Sequence, residues 1–387
     1  MLPASSFGRD EAIHLLADFV RVPTLNPPGA DTPGAELLAR ELDRRGLKPE
    51  MTQIGPGQTN TTARICGTGE SPALLFNGHI DVVPPGEVPW KHPPFGAVIE
   101  GGRLYGRGTA DMKGGLAAML IAFEMLARGG RKLRGDLIFS AVTDEELGAT
   151  GSRRLVTDGL LHGVGGVVIG EPTGFKAYIA QKGLCWLDLE TTGLTAHGSM
   201  PHLGHNAILD MHTLLAEVLA IPLREGTDPG NGRATLNVGM IHGGVGPNVV
   251  PDLCRVSLDF RLPPGVGEEE LMSNIHAAAA RAEARTPGMR VIVRPTGSRP
   301  AVATSSRNPL VGLVLALCEE RLGLQQEALP APYATDASAL CHDPPVPFVI
   351  IGPGKAELAH KPDEHIEIED YLKAIDLYAA IAERFLG

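Results

Sequence analysis

His79 and Asp81 are the first chemically informative pair in the chain, because they follow an apolar run at residues 72–76 that predicts a buried strand. Alternate residues of a strand share a face, so the two side chains are expected to point the same way. An imidazole in this position is a candidate metal ligand, and a carboxylate beside it can hold the ring in one orientation. Open α/β sheets place their chemistry at this carboxyl end of the strands.

Four further segments carry residues of the same chemical kind, at 108–115, 143–146, 170–173 and 359–362. Together with the first pair they supply the candidate metal ligands His79, Asp111, Glu146, Glu171 and His360. Two imidazoles and three carboxylates are more than one zinc ion needs, and they suit two zinc-type ions bridged by a shared carboxylate. Two such ions about 3.5–4 Å apart can hold a water molecule and polarise a substrate carbonyl.

Glu145 and Glu146 follow a second apolar run at residues 137–142. Adjacent residues point in different directions, so one carboxylate could bind metal while its neighbour faces the reacting water. A single acid or histidine is more often a solvated surface residue or a structural one. That alternative weakens when five candidate ligands occur together.

The elements that must position these residues alternate along the chain. Helices predicted at 114–127 and 151–158 alternate with strands at 137–142 and 166–169. This alternation is typical of an α/β fold in which a mostly parallel sheet is covered by helices.

From about residue 180 the predicted order changes to β-α-β-β-α-β, the order of a ferredoxin-like α+β unit. We therefore predict a discontinuous catalytic domain at residues 1–179 and 296–387, with a smaller domain inserted at 180–295. A four-stranded sheet with helices on one face leaves an edge or a face to be covered.

Composition narrows the classes of partner. The net charge of −11 argues against a broad nucleic-acid surface. No apolar run is long enough to span a bilayer, and residues 1–9 lack the pattern of a signal peptide. The five cysteines are scattered without a Cys-x-x-Cys motif, as expected for core residues kept reduced. These features predict a cytoplasmic protein that binds neither nucleic acid nor membrane.

The segments that carry the candidate ligands resemble the zinc aminoacylase and carboxypeptidase family, which includes acetylornithine deacetylase, succinyl-diaminopimelate desuccinylase, glutamate carboxypeptidase and aminoacylase. The resemblance covers nearly the whole chain. It implies two zinc ions per chain, with Co²⁺ or Mn²⁺ as substitutes. Asp111 would bridge the ions, His79 and Glu171 would complete one site, and Glu146 and His360 would complete the other.

The same resemblance implies roles for the neighbouring residues. Glu145 would be the general base, and Asp81 would orient His79. It also implies a cis peptide bond between Asp111 and Met112.

In the inserted domain, residues 195–202 resemble the segment whose first histidine, here His197, reaches the partner subunit's site and stabilises the oxyanion. The resemblance therefore implies a homodimer formed through this domain. Asn248 and Arg261 match the family's substrate-binding asparagine and arginine. The alternatives are that Asn248 is part of a turn and that Arg261 pairs with Asp259. Thr335 is a further candidate for the substrate pocket.

The implied reaction is hydrolysis of the amide bond of a small N-acyl amino acid, most like that of acetylornithine deacetylase or succinyl-diaminopimelate desuccinylase. Residues 333–337, 352–354 and 359–364 look more like the deacetylase branch. Carboxypeptidase, dipeptidase or general aminoacylase activity on dipeptide-like substrates is the alternative. A non-catalytic zinc-binding relative is a third interpretation, against which the presence of Glu145 argues.

Overall fold

A computed structural model describes residues 8–130, 132–227 and 232–387 of the 387-residue chain. Most of the segment for which we predict no signal peptide, residues 1–7, lies outside the described residues. Within the described part, no helix is both long enough and apolar enough to cross a membrane.

The α-helices of the described residues are α1 (Arg9–Arg21), α2 (Thr32–Arg44), α3 (Gly114–Arg128), α4 (Thr150–Thr157), α5 (Ala207–Leu219), α6 (Glu268–Arg285), α7 (Pro309–Leu322), α8 (Ala337–Leu340) and α9 (Ile368–Leu386). The strands are β1 (Pro49–Gly55), β2 (Gln58–Ile65), β3 (Ala73–His79), β4 (Val98–Glu100), β5 (Arg103–Tyr105), β6 (Leu137–Val142), β7 (Val164–Ile169), β8 (Tyr178–Gln181), β9 (Gly183–Thr192), β10 (Thr235–Gly243), β11 (Leu253–Leu262), β12 (Arg290–Arg299), β13 (Val302–Ala303), β14 (Leu329–Ala331), β15 (Phe348–Ile350) and β16 (His365–Glu367).

The chain divides into two compact units. The larger unit comprises Met1–Ile179, Ala303–Ala331 and Thr335–Gly387, and the inserted unit comprises Ala180–Val302 and Pro332–Ala334. The inserted stretch thus runs to Val302 and not to the expected residue 295, because β12 continues past that position.

The larger sheet has parallel strands at its centre. Its order is β1-β2-β6-β3-β7-β15-β8-β13, and β14 pairs with β8. β3 runs parallel to β6 and β7, and β7 runs parallel to β15. The pairs β1-β2, β2-β6 and β15-β8 are antiparallel. The sequence-based prediction of an α/β fold with a mostly parallel central sheet is confirmed.

Continuous apolar runs explain why the central strands form. Every residue of β3 and of β6 is buried, as expected for parallel strands that helices cover on both faces. α3 is buried along almost its whole length and packs in one core with α9. This core carries the strand ends that hold the candidate ligands.

A small sheet in the order β16-β5-β4 lies in the same unit, and both of its strand pairs are antiparallel. It brings the loop that follows β5 beside the segment that precedes β16. The loop that follows β5 leads to Asp111, and the segment that precedes β16 carries His360.

The inserted unit contains a four-stranded antiparallel sheet in the order β10-β11-β9-β12. α5 and α6 pack on it around a separate apolar core. The chain order β9-α5-β10-β11-α6-β12 is the expected β-α-β-β-α-β order of a ferredoxin-like unit.

Candidate metal centre

Three neighbouring strands deliver candidate ligands to one edge of the larger sheet. His79 ends β3, Glu171 comes two residues after β7, and Glu146 comes four residues after β6. Since β6, β3 and β7 are adjacent and parallel, their carboxyl ends meet at the same edge.

Asp111 connects two groups of ligand atoms. In the first group, His79 Nε2 lies 3.2 Å from Asp111 Oδ1 and 3.7 Å from Glu171 Oε1. In the second, His360 Nε2 lies 3.3 Å from Asp111 Oδ2 and 3.1 Å from Glu146 Oε2. The ligand atoms of each group lie within 4.8 Å of one another. All five expected ligands therefore converge, and each carboxylate oxygen of Asp111 faces a different group.

The orientation of His79 comes from the main chain. Its Nδ1 lies 2.9 Å from the backbone oxygen of Asp81, whereas the nearer carboxylate oxygen of Asp81 is 3.7 Å away. Only the first distance is that of a hydrogen bond. The hydrogen-bonding group that Asp81 offers to His79 is therefore its carbonyl group and not the carboxylate that the sequence suggested, and its orienting role stays a prediction.

The Asp81 carboxylate instead holds the backbone of the two glutamates. Its Oδ1 accepts a hydrogen bond from the Glu145 backbone N–H at 3.1 Å, and its Oδ2 accepts one from Glu146 at 3.2 Å. The side-chain amide of Asn26 donates to the same Oδ2 at 2.9 Å. No spacing in the sequence reveals the role of Asn26, because it lies 55 residues from Asp81 along the chain.

Two glycines allow the ligand segments to pack backbone against backbone. A Cβ on Gly115, in the first turn of α3, would lie 1.9 Å from the backbone oxygen of Gly170. A Cβ on Gly354 would lie 2.4 Å from the backbone oxygen of Ala110. Both contacts exclude any larger residue, so the segment of Asp111 approaches Gly170, next to Glu171, and Gly354 only because glycine is present. The Asp111–Met112 peptide is cis, as the resemblance implies.

The acids around the two imidazoles favour the protonated rings. Hydrogen bonds with Asp111 and Glu146 raise the pKa of His360 to about 10. Burial alone lowers the pKa of His79, but the surrounding carboxylates, foremost Glu171, raise it well above the ordinary value. Burial raises the pKa of Asp111, yet hydrogen bonds with both imidazoles bring it below its usual range. The two imidazoles thus favour the ionised form of the shared carboxylate.

The remaining carboxylates experience excess negative charge. Burial raises the pKa of Glu146 to about 7, and the charges of Asp111 and Glu145 add to this effect. Burial also raises the pKa of Glu171 well above its usual range, again with contributions from Asp111 and Glu145. The charge of Glu145 thus acts on one member of each ligand group. Divalent cations would stabilise the ionised form of each acid, so this donor set fits them.

In the inserted unit, His197 and Asn248 lie on paired segments. His197 and Val249 form an isolated β-bridge, and the Gly198 N–H donates to the Asn248 oxygen at 2.8 Å. Nδ1 of His197 accepts from the Ser199 backbone N–H at 3.1 Å. Nδ1 is therefore an acceptor, so the proton of the neutral ring is on Nε2, where it can serve as a donor.

Arg261 and Thr335 have local partners. Arg261, on β11, donates from Nη2 to Asp259 Oδ2 at 2.9 Å, which is the alternative that the sequence left open. Thr335 is buried in the larger unit, and its hydroxyl accepts from the Ala337 N–H at 3.1 Å at the start of α8. Their roles toward a substrate stay predictions.

Comparison with known proteins gives consistent matches. Residues 75–384 match the model of peptidase family M20/M25/M40. The chain is 30% identical to a protein of Staphylococcus epidermidis named probable succinyl-diaminopimelate desuccinylase, with 98% of each covered. It is 32% identical to acetylornithine deacetylase of Vibrio cholerae, with 86% of each covered. Its fold matches a family M20 metallo-carboxypeptidase of Sulfolobus solfataricus with a TM-score of 0.81 and 20% identity, over 97% of this chain and 99% of that one.

Proposed function

This chain is a hydrolase that belongs to peptidase family M20/M25/M40, and from that premise we propose that it cleaves the amide bond of a small N-acyl amino acid with two zinc ions. The observation that carries the proposal is the shared Asp111 carboxylate, which faces one imidazole with each of its oxygens. A centre for a single ion would not require the second group of ligands.

The residues present fit two ions. His79 and Glu171 would hold one ion, Glu146 and His360 would hold the other, and Asp111 would contact both. Ligands of nitrogen and carboxylate oxygen suit Zn²⁺ and also accept Co²⁺ or Mn²⁺. When bound, such ions polarise a scissile carbonyl and lower the pKa of a water molecule towards about 7.

Glu145 would move the proton. It would take a proton from the attacking water as the new C–O bond forms, and pass that proton to the amine nitrogen as the C–N bond breaks. Glu145 is buried, and its backbone is held by Asp81. These features support a fixed base beside the ligand groups.

The inserted unit would supply substrate contacts and the subunit interface. The Nε2–H of His197 suits an oxyanion donor for the partner subunit's site. Arg261 would exchange Asp259 for the α-carboxylate of the substrate, because a guanidinium matches a carboxylate in a bidentate manner. Asn248 would assist it, and Thr335 would line the pocket.

The dimer proposal is supported by an exposed apolar edge. β10 is an edge strand of its sheet, and its Ile241 is 55% exposed. On α5, Leu209 is 63% exposed, and the side chain of Ile208 packs close to Gly243 of β10. An edge strand beside exposed apolar side chains is a surface that soluble chains cover by association.

The substrate class follows the names of the two curated relatives, so N-acetyl and N-succinyl diamino acids are the first candidates. Dipeptides and other N-acyl amino acids are the alternative, as the sequence-based prediction already allows. We extend the proposal to a cytoplasmic location, which is supported by five cysteines that form no disulfide.

The test is a substrate panel with the zinc-loaded protein. N-acetylornithine, N-succinyl-diaminopimelate, N-acetylmethionine and simple dipeptides are incubated, and release of free amine is measured. We expect turnover of at least one N-acyl amino acid, loss of turnover on chelation, and weaker turnover of the α-methyl ester than of the free acid. Absence of amine release from every substrate, with two ions bound, would contradict the proposal.

A further inference from the structure

Glu364 makes an unusual set of buried contacts next to the metal centre. Its side chain is 0% exposed, and its Oε2 accepts a hydrogen bond from Arg107 Nη1 at 2.6 Å. Its Oε1 accepts from two successive backbone N–H groups, those of Ala110 at 2.9 Å and Asp111 at 3.1 Å. One carboxylate therefore fixes the backbone of the residue that joins the two ligand groups.

Arg107 ties the same carboxylate to its surroundings. Its side chain is 1% exposed, and the guanidinium lies 5.0 Å from the centre of the Trp90 ring. It also donates to the backbone oxygens of Lys361 and Pro84, each at 3.4 Å. The pair is therefore held on several sides by neighbouring backbone.

Glu364 also belongs to the segment that carries His360, four residues before it. That segment is connected to the loop of Asp111 once more, because the Gly106 N–H donates to the backbone oxygen of Glu364 at 2.9 Å. His360 has a φ of 63° and lies in a loop, whereas His79 ends a buried strand. The position of His360 thus depends on loop contacts that the strand-borne ligand does not need.

Desolvation makes a buried ion pair a poor source of net stability, since an apolar pair of similar volume is often as stable or more so. A buried ion pair is better explained when its charges also form hydrogen bonds with other buried polar groups. Here the carboxylate accepts hydrogen bonds from two backbone donors of the short π-helical turn Thr109–Lys113. Partners of this kind that orient metal ligands typically change metal affinity by about 10–100-fold when they are removed.

We propose that Arg107 and Glu364 are positioning residues that set Asp111 against His360 and so determine the affinity of the ion on the His360 side, a role that rests on the proposed two-ion function. The ion between His79 and Glu171 depends less on this pair, because both of its other ligands are carried by the central strands. The expected signature is therefore a selective weakening of one of two binding steps.

The test is calorimetric titration of the metal-free protein with Co²⁺ or Zn²⁺, with Co²⁺ absorption as a second readout. Glu364→Gln keeps the size of the side chain but leaves the charge of Arg107 without its partner. We expect one of the two binding steps to lose about tenfold or more in affinity and the other to change little.

Glu124→Gln is the matched control. Glu124 pairs with Arg45 at 2.6 Å, with side chains that are 9% and 1% exposed, in the same unit. It removes a buried charge of the same kind away from the metal centre, so both binding steps should be unchanged. An equal loss in both variants would overturn the inference, because the effect would then reflect general destabilisation.

Arg107→Lys decides the matter if Glu364→Gln does not fold. Lysine keeps a positive charge near Glu364 but lacks the planar guanidinium that donates to the backbone oxygens of Lys361 and Pro84. The same binding step should therefore weaken. Unchanged affinities in a folded variant, with wild type binding two ions, would overturn this inference alone. Wild-type protein that binds fewer than two ions would overturn the proposed function as well.

Discussion

Glu145 and Glu146 are chemically identical neighbours, yet the structure places them in different surroundings. Glu146 contacts the imidazole of His360 directly, at 3.1 Å. Glu145 does not belong to either group of ligand atoms, although its charge acts on members of both. The two residues therefore suit the separate roles of base and ligand.

Glu145→Gln should lower kcat by about a hundredfold or more, because the amide keeps the shape of the side chain but loses its basicity. Both ions should remain bound, since Glu145 is not among the ligand atoms. Metal analysis and steady-state kinetics on the same sample check this expectation. Loss of an ion in this variant would mean that the roles of Glu145 and Glu146 are exchanged.

Asp31 is a buried acid beside the loop of the two glutamates. Burial raises its pKa to about 7, and hydrogen bonds from Thr143 and Thr59 oppose that shift. The folded chain therefore keeps a proton on Asp31 between pH 4 and pH 7, where the unfolded chain releases it. The contribution of Asp31 to the free energy of unfolding is fully present below the pKa that its carboxyl has in the unfolded chain. It is lost as the pH rises through the pKa that the carboxyl has in the folded chain.

Asp31→Asn should flatten the pH dependence of stability in the metal-free protein. Between pH 4 and pH 7, the free energy of unfolding of wild type should fall relative to that of the variant, by at most about 1.4 kcal/mol per pH unit. Urea unfolding at successive pH values measures this difference. Asp18→Asn is the control, because it removes the same charge from an exposed position. Parallel plots of unfolding free energy against pH for wild type and Asp31→Asn would contradict the expectation.

At the scale of elements, the start of α3 against the end of β7 decides how closely two ligand segments approach. Gly115 meets the backbone oxygen of Gly170 there, and neither backbone can move without shifting a core helix or a central strand. The parallel strands bring His79 and Glu171 to one edge, and this contact brings Asp111 to the same place.

Gly115→Ala should destabilise the larger unit by about 1–3 kcal/mol or more, because the added methyl group overpacks rigid backbone. Gly312 offers a matched control, since it lies in α7 and a Cβ there would meet nothing within 4 Å. Gly312→Ala should stabilise the helix by roughly 0.5–1 kcal/mol. Thermal unfolding of both variants tests the two expectations. Similar transition temperatures for the two variants would contradict them, because the backbone around residue 115 would then accommodate the added methyl group.

At the scale of the whole molecule, the two units carry different parts of the proposed chemistry. The ligands and Glu145 belong to the larger unit, whereas His197, Asn248 and Arg261 belong to the inserted unit. If His197 acts in the partner subunit's site, each active site is built from two chains.

Mixing Glu145→Gln subunits with His197→Ala subunits should therefore restore activity. Each parent lacks a needed group in both of its sites, but a hybrid dimer contains one intact site. Random exchange should give about a quarter of the wild-type activity, because half of the dimers are hybrids with one working site. Kinetics after subunit exchange, with mass measurement of the hybrids, tests this. Hybrids without activity would place His197 in its own subunit's site or outside catalysis.

Much of the architecture can be read from the sequence, because buried parallel strands and core helices leave strong local patterns. The apolar run at 137–142 matches β6, and the helix expected at 114–127 matches α3 to within one residue. The β1-β2 hairpin was not predicted, because its residues are largely polar. The short strands β4, β5 and β16 were also missed, since three-residue strands depend on distant partners.

At the candidate metal centre, the sequence alone singles out the five candidate ligands and Glu145, because these residues follow strand ends in recognisable segments. Which atoms of these residues contact one another follows from the three-dimensional packing. Packing brings His79 to the carbonyl group of Asp81, Asn26 to the carboxylate of Asp81, and Glu364 to both Arg107 and the backbone N–H of Asp111. The sequence does not reveal these contacts, because the hydrogen bonds join groups far apart in the chain and their directions are set by how the elements pack.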